Sequence, residues 1–416
     1  MYADLVIVNI SKLYTPKGPF VRGNSMGDVL QIDEAFIAIK DGLILDLGEH
    51  DYNIHVGEHT EIYDGRRLVA LPGFVDSHTH LVYGGSREHE FNMKLQGVPY
   101  LDILAAGGGI LSTVEATRNI EYKALLQKSA GSLYELASYG VTTMEVKSGY
   151  GLNRETEVKQ LEIIKELNNK TPFDVIGTYM GAHAFPKEYK DNKREYIDEL
   201  LQDIEYVKDN ELATFIDVFC EDSVFTYEQS KEILSKGKDV GLKVKIHADE
   251  IVSLGGAELG VSLNAKSADH LMAISDHDIE LIAKSKTVAN LLPGTSFYLN
   301  KDYAPARKLL DKDAIVSLSS DMNPGSSPNE NFQFIQQLGC LKLKMTPEEV
   351  LTATTINAAY NLDLHNKVGS LEKGKQADIL LMDAPNLEYI FYHYGINHVK
   401  DIIKKGKVIF QNRRYL

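Results

Sequence analysis

From Leu71 onward, short apolar runs alternate with longer stretches in which apolar residues recur every three or four positions. The short runs have the composition of buried strands, and the longer stretches have the period of amphipathic helices. The runs Phe74–Val75, Val141–Val146, Val175–Met180 and Phe215–Phe219 each give way to turn or polar residues. So do Leu242–Ile246, Ser267–Asp269, Val288–Leu292 and Ala314–Leu318. Helical periodicity fills Tyr122–Tyr139, Arg154–Asn168, Arg194–Asp209 and Tyr227–Lys236 between them. Strand and helix in eightfold alternation predict an α/β fold, a (β/α)8 TIM barrel, whose active site lies at the C-terminal ends of the strands.

The two ends of the chain have a different texture. Leu5–Asn9, Ala35–Lys40 and Leu43–Leu47 are strand-like and are broken by turn residues such as Asp41-Gly42. The pattern returns in Asp378–Met382, Val399–Lys404 and Lys407–Gln411. These ends predict a small composite β-sandwich domain, residues 1–70 plus 360–416, beside a barrel spanning 71–359.

Composition then narrows the function classes. The 416 residues carry 44 Lys+Arg against 59 Asp+Glu, a formal charge of −15, which argues against nucleic acid as a partner. No apolar run approaches the roughly 20 residues of a membrane span, so no membrane partner is expected. The start, Met1-Tyr-Ala-Asp-Leu, lacks the basic opening of a secretion signal. Cys220 and Cys340 are the only cysteines, too few for a disulfide framework, and a reducing cytoplasm is the expected compartment. Gly107-Gly-Gly109 lacks the Gly-Lys-Ser/Thr that completes a phosphate loop, leaving a flap over the site or a plain flexible loop.

The candidate chemistry gathers at the ends of the predicted barrel strands. His78-Thr79-His80 follows the first strand, and residues two apart in an extended segment point the same way. His247 ends the fifth strand, His270 the sixth and Asp321 the eighth. Imidazoles and carboxylates buried together are costly, and one cation removes several such costs at once. A two-metal barrel of this type calls for a carboxylated lysine at the end of the fourth strand. That strand ends in Cys220-Glu221, and Lys147 ends the second. The economical set is therefore one ion held by His78, His80, His247 and Asp321, with a position open for a water acidified by the ion. His₃Asp suits zinc and iron alike.

Around that set lie the candidate catalytic groups. Glu250, three residues past His247, is either a helix-start charge or the carrier of a proton to a leaving ring nitrogen. His270 remains after the ligand count, placed to hold the attacking water or the developing oxyanion, with Asp321 as the accepting base. Arg87 has the planar fork that suits a substrate carboxylate, or is a solvated surface cation. Tyr150, in Lys147-Ser-Gly-Tyr-Gly151, and His183, in Gly181-Ala-His-Ala184, can hydrogen-bond a small polar ring. The turn Asp321-Met-Asn-Pro-Gly-Ser326 presents Asn323, Gly325 and Ser326 to the same place.

Pro72-Gly-Phe-Val-Asp-Ser-His-Thr-His80 resembles the metal signature of the amidohydrolase superfamily, and Val368-Gly-Ser-Leu-Glu-Lys-Gly-Lys-Gln-Ala-Asp378 resembles the return of its chains into the accessory β domain. Val146-Lys-Ser-Gly-Tyr-Gly151, Gly181-Ala-His183, His247-Ala-Asp-Glu250 and Asp321-Met-Asn-Pro-Gly-Ser326 are similar to the motifs of one cyclic-amide-opening branch of it. That resemblance runs over nearly the whole chain. It implies hydrolysis of 4-imidazolone-5-propanoate to N-formimidoyl-L-glutamate in histidine degradation, with one Zn(II) or Fe(III), no organic cofactor, and a homodimer. By the same motifs His78, His80, His247 and Asp321 would hold the ion. Arg87, Tyr150, His183, Glu250, Asn323, Gly325 and Ser326 would contact substrate, and Glu250, His270 and Asp321 would be catalytic. Two rivals share part of this pattern: a deaminase of heteroaromatic rings, in which Arg87 would have no carboxylate to meet, and a non-catalytic barrel relative, in which ligands would be missing.

Overall fold

In the computed structural model, residues 1–49, 51–98, 102 and 108–411 are described. Five strands come first: β1 Leu5–Thr15, β2 Leu30–Lys40, β3 Leu43–Glu49, β4 Glu61–Asp64 and β5 Val69–Pro72. Eight parallel strands follow: β6 Phe74–Asp76, β7 Val141–Lys147, β8 Asp174–Ala182, β9 Phe215–Cys220, β10 Lys243–Ala248, β11 Ser267–His270, β12 Val288–Leu291 and β13 Val316–Leu318. β14 Ile379–Met382, β15 Val399–Lys404 and β16 Lys407–Gln411 close the chain.

β6 to β13 pair in chain order, as successive βα units require. The ring is drawn together at its rim. Thr79 bridges Met322 in parallel, the amide of His80 donates to the Met322 carbonyl at 2.9 Å, and the amide of Asp321 donates to the His78 carbonyl at 3.1 Å. The contact that closes the barrel thus sets the first and last strand ends side by side. Helices such as Arg154–Lys170 and Tyr227–Asp239 cover the outside; Asn153 and Thr226 accept from amides in their first turns.

The terminal strands form one mixed sheet, β16-β15-β14-β5-β1-β2-β3, with β4 beside β1. It encloses an apolar core that joins Leu5, Ile7 and Ile37 to Ile379, Leu381 and Ile403. Its other face presents Val69, Leu71, Leu380 and Ile402 to the main core of the barrel.

Three features differ from the sequence reading. β1 continues past Asn9 to Thr15, because a bulge between Ile7 and Ile10, with Asn9 at φ 57°, breaks the alternation. β4 is short and polar, so it gives little strand signal. The expected boundary after residue 70 falls inside β5, which still pairs with β14. The chain leaves the sheet at Gly73, where a Cβ would lie 2.2 Å from Thr142 Oγ1, so only glycine lets it cross so close to β7. Gly107, first of the glycine run read as a flap or loop, lies outside the described residues.

Candidate metal centre

His78 and His80 sit just past β6 and are buried. Nδ1 of His78 donates to Asp269 Oδ2 at 2.5 Å, so its Nε2 carries the lone pair, and that atom is buried with no hydrogen-bond partner. His247, on β10, donates from Nδ1 to Asp217 Oδ2 at 3.0 Å, which likewise leaves Nε2 bare. Carboxylates behind the ring fix the tautomer and aim the other nitrogen, the arrangement found around metal-ligating histidines. Asp321 Oδ1 lies 3.4 Å from His78 Nε2 and 3.7 Å from His80 Nε2. Its Oδ2 accepts from Thr295 Oγ1 at 2.5 Å, so one carboxylate oxygen is held and the other faces the histidines.

Ring centroids of His78 and His247 are 4.5 Å apart, and those of His80 and His247 are 5.5 Å apart. Ligand-type atoms of His78, His80 and Asp321 lie within 4.8 Å of one another, as do those of His78, His247 and His270. Nδ1 of His80 and Nδ1 of His270 are also buried without a partner. Burial, helped by the Lys147 ammonium and the neighbouring imidazoles, keeps His78 neutral well below the usual histidine range; burial and adjacent rings do the same for His80 and His270. His247 differs: burial opposes its charge, but Asp217 outweighs burial and raises it. The neutral rings of His78 and His80 beside the Asp321 carboxylate, with His247 next to them, are a donor set for one borderline cation, and the orphaned nitrogens of His78 and His80 give it a physical reason to bind. The residues fit a metal ion.

Lys147 is tied elsewhere. Its buried ammonium lies 2.7 Å from Glu145 Oε1 and 2.8 Å from Asp217 Oδ2, and the two carboxylates outweigh burial and keep it charged. It serves the wall behind His247, not a second ion.

The catalytic candidates surround this centre. Nε2 of His270 lies 3.7 Å from Glu250 Oε2, and His270 and Leu271 both have positive φ, 80° and 61°. Non-glycine residues rarely sit there in succession, and such strain concentrates at functional sites. Burial, with the Asp321 charge next, pushes Glu250 up to about 8 and so keeps it protonated near neutrality. Burial lifts Asp321 to about 6. Glu250 starts no helix, since the following one begins at Gly256. Instead Glu221 accepts from the amides of Ile251 and Val252 at 2.7 and 3.3 Å and clamps the chain just past it.

His183 stacks on His80 at 4.9 Å and donates from Nδ1 to the Gly149 carbonyl at 3.0 Å. A carbonyl can only accept, so Nε2 of His183 is bare; burial lowers this imidazole to about 3. Tyr150 packs against His80 and His183 at 5.8 and 5.3 Å. Arg87 forms a two-point pair with the buried Glu90, Nε to Oε1 at 2.9 Å and one terminal nitrogen to Oε2 at 2.8 Å. Its other terminal nitrogen lies against Gly325, where a Cβ would sit 2.3 Å away. Asn323 turns inward: its Oδ1 accepts from the amides of Gly325 and Ser326, both at 2.8 Å, and its Nδ2 donates to the Asp321 carbonyl at 2.6 Å. Its side chain shapes the turn that carries Gly325 and Ser326.

Sequence reasoning missed Asp217, Asp269, Thr295, Glu90 and Glu221. Asp217 was open to detection, a lone charge inside the apolar run Phe215–Phe219, and Asp269 precedes His270 at a strand end. Nothing in the sequence signals Thr295 or Glu221, whose partners lie in other segments.

The amidohydrolase family model matches residues 69–409. A relative named imidazolonepropionase from Alkaliphilus metalliredigens is 50% identical over 100% of both chains. One of the same name from Thermoanaerobacter pseudethanolicus is 50% identical over 97% of each, and one from Streptococcus pyogenes is 47% identical over 100% of each. Among solved structures, Escherichia coli guanine deaminase superposes with a TM-score of 0.75 at 14% identity, covering 98% of this chain and 99% of its own. A zinc-bound adenosine deaminase from Xanthomonas campestris gives 0.73 at 16% identity, covering 100% and 94%. Identities that low establish the shared fold alone.

Proposed function

The chain belongs to the amidohydrolase family and within it to the imidazolonepropionases, and from that premise we propose how its residues open the ring of 4-imidazolone-5-propanoate to give N-formimidoyl-L-glutamate. His78, His80, His247 and Asp321 would hold the ion, which when bound would supply Lewis acidity, polarising a carbonyl and lowering the pKa of water. Zinc or iron fits the three imidazoles and one carboxylate.

The protein's own groups handle the rest. Arg87 turns its free terminal nitrogen towards the propionate. The bare Nε2 of His183 accepts from a ring N–H, and Tyr150, packed against both His80 and His183, offers its hydroxyl to the same ring. Gly325 and Ser326, on the turn braced by Asn323, meet the substrate beside Arg87. Water adds to the ring carbonyl, and the carbonyl carbon–nitrogen bond breaks. Asp321 takes the proton given up by the water. Glu250, protonated near neutrality, gives one to the departing nitrogen, and His270 holds the developing oxyanion.

One observation carries the reading: the partnerless buried Nε2 of His78 faces Asp321 Oδ1 at 3.4 Å, with His80 Nε2 3.7 Å from the same oxygen, on the rim that also holds Arg87. The compartment proposed is the cytoplasm, which suits the free thiols Cys220 and Cys340, and the assembly a homodimer, which the family resemblance implies. The test follows loss of imidazolone absorbance in the ultraviolet, before chelation, after it, and after return of zinc or iron. Activity lost and restored supports the reading. Ammonia release from purines or pyrimidines, without loss of imidazolone, would move the chain to the deaminases.

A further inference from the structure

Arg87 cannot be the whole of the anion site. Two of its nitrogens are engaged by Glu90 at 2.9 and 2.8 Å, and Glu90 also accepts from the amide of Gly109 at 2.8 Å. Glu90 is 1% exposed, and the Arg87 side chain 11%, so little solvent screens the pair. The Arg87 charge is largely balanced before any substrate arrives. What the guanidinium still offers is a directed N–H at its remaining terminal nitrogen.

A second cation meets it at the same residue. Lys94, one helical turn past Glu90 on Glu88–Leu95, extends its Nζ to within 3.4 Å of the Gly325 carbonyl and 5.8 Å of the Tyr298 ring. The free nitrogen of Arg87 lies against Gly325 as well, 2.3 Å from where a Cβ would stand. Burial and the Arg87 charge lower the Lys94 ammonium, as expected of a half-buried cation close to a guanidinium. Around Gly325 there are thus two cations and one carboxylate, which leaves one positive charge.

We propose that Lys94 supplies the charge that binds the substrate's carboxylate, while Arg87, neutralised by Glu90, supplies only the direction of one hydrogen bond. This inference rests on the substrate reading above and names a specificity residue for it. Lys94 selects a ring bearing a single carboxylate over the same ring bearing a neutral amide. Glu90 is a positioning residue that aligns Arg87 and ties it to Gly109.

The experiment compares wild type, Lys94→Met and Lys94→Arg on imidazolone propanoate and on its propanamide. Lys94→Met is expected to raise KM for the acid about tenfold or more, the size of a lost charge-assisted contact, with a much smaller change in kcat. The preference for acid over amide shrinks by the same factor, and Lys94→Arg restores most of it. Circular dichroism confirms that each variant is folded; Lys94 is only partly buried, on a short helix, so loss of fold is not expected. An active wild type with Lys94→Met at wild-type KM, or with both substrates impaired equally, overturns this inference and leaves the substrate reading standing. A metal-loaded wild type that leaves imidazolone propanoate intact overturns both.

Discussion

Nδ1 of His78 donates to Oδ2 of Asp269 across 2.5 Å, joining the end of the first barrel strand to the end of the sixth. The bond commits His78 to the tautomer with a bare Nε2, the atom that faces Asp321. Asp217 treats His247 in the same way. The centre is therefore aimed by carboxylates that need not touch the ion.

Asp269→Asn is accordingly expected to weaken metal affinity by about 10- to 100-fold, because an amide can present its NH₂ to His78 and favour the wrong tautomer. Competition against a chromophoric chelator measures this independently of turnover. Unchanged affinity would mean that the ring is held by other contacts.

Gly325→Ala should act through Arg87. Its Cβ would lie 2.3 Å from the free guanidinium nitrogen, so the side chain must be displaced. We expect KM for imidazolone propanoate to rise by about 10- to 100-fold, as it should in Arg87→Met, where the buried Glu90 also loses its partner and stability falls by about 2–5 kcal/mol. If Arg87→Met leaves KM unaltered, the residue is not at the substrate.

Gly149→Ala meets two obstacles. Gly149 has φ 106°, and a Cβ there would stand 2.8 Å from Nδ1 of His183, the atom bonded to its own carbonyl. A loss of about 1–3 kcal/mol in stability together with a fall in kcat is expected from thermal melts and kinetics. A stable variant of full activity would show that His183 need not be fixed.

Much of this was legible in the sequence, and the reason is geometric. A barrel brings every strand end to one rim, so His78, His80, His247, His270 and Asp321 could be grouped once the strands were counted. The helix and strand periods survived because the strands are buried and nearly regular. The bulge at Asn9 and the polar β4 erased that period. The partners of Glu90, Glu221 and Thr295 depend on loop conformation, which no spacing encodes. Arg87 shows the limit best: its proximity to the site was readable, but its pairing with Glu90 was not.

Acid stability should report on the seam between sheet and barrel. Lys404, its side chain fully buried, lies 2.6 Å from both Asp174 of β8 and Asp378 before β14. Burial raises the Asp174 carboxyl, but Lys404, Gln376 and Lys367 outweigh it and hold it well below its ordinary 3.8. A depressed carboxyl stabilises the fold above its unfolded pKa and loses that contribution as pH falls below about 4. Asp174→Asn should flatten the drop in melting temperature below pH 4. Lys404→Met, which leaves two carboxylates facing each other, should cost about 3–5 kcal/mol at pH 7. Parallel acid melting curves for wild type and Asp174→Asn would refute the assignment.

The most direct test is calorimetric titration of chelator-stripped protein with Zn(II), alongside the His78→Ala, His247→Ala and Asp321→Ala variants. One equivalent per chain should bind to wild type, with affinity collapsing in each variant while the protein stays folded. Two equivalents, none, or binding untouched by the substitutions would contradict a single ion gripped at this rim.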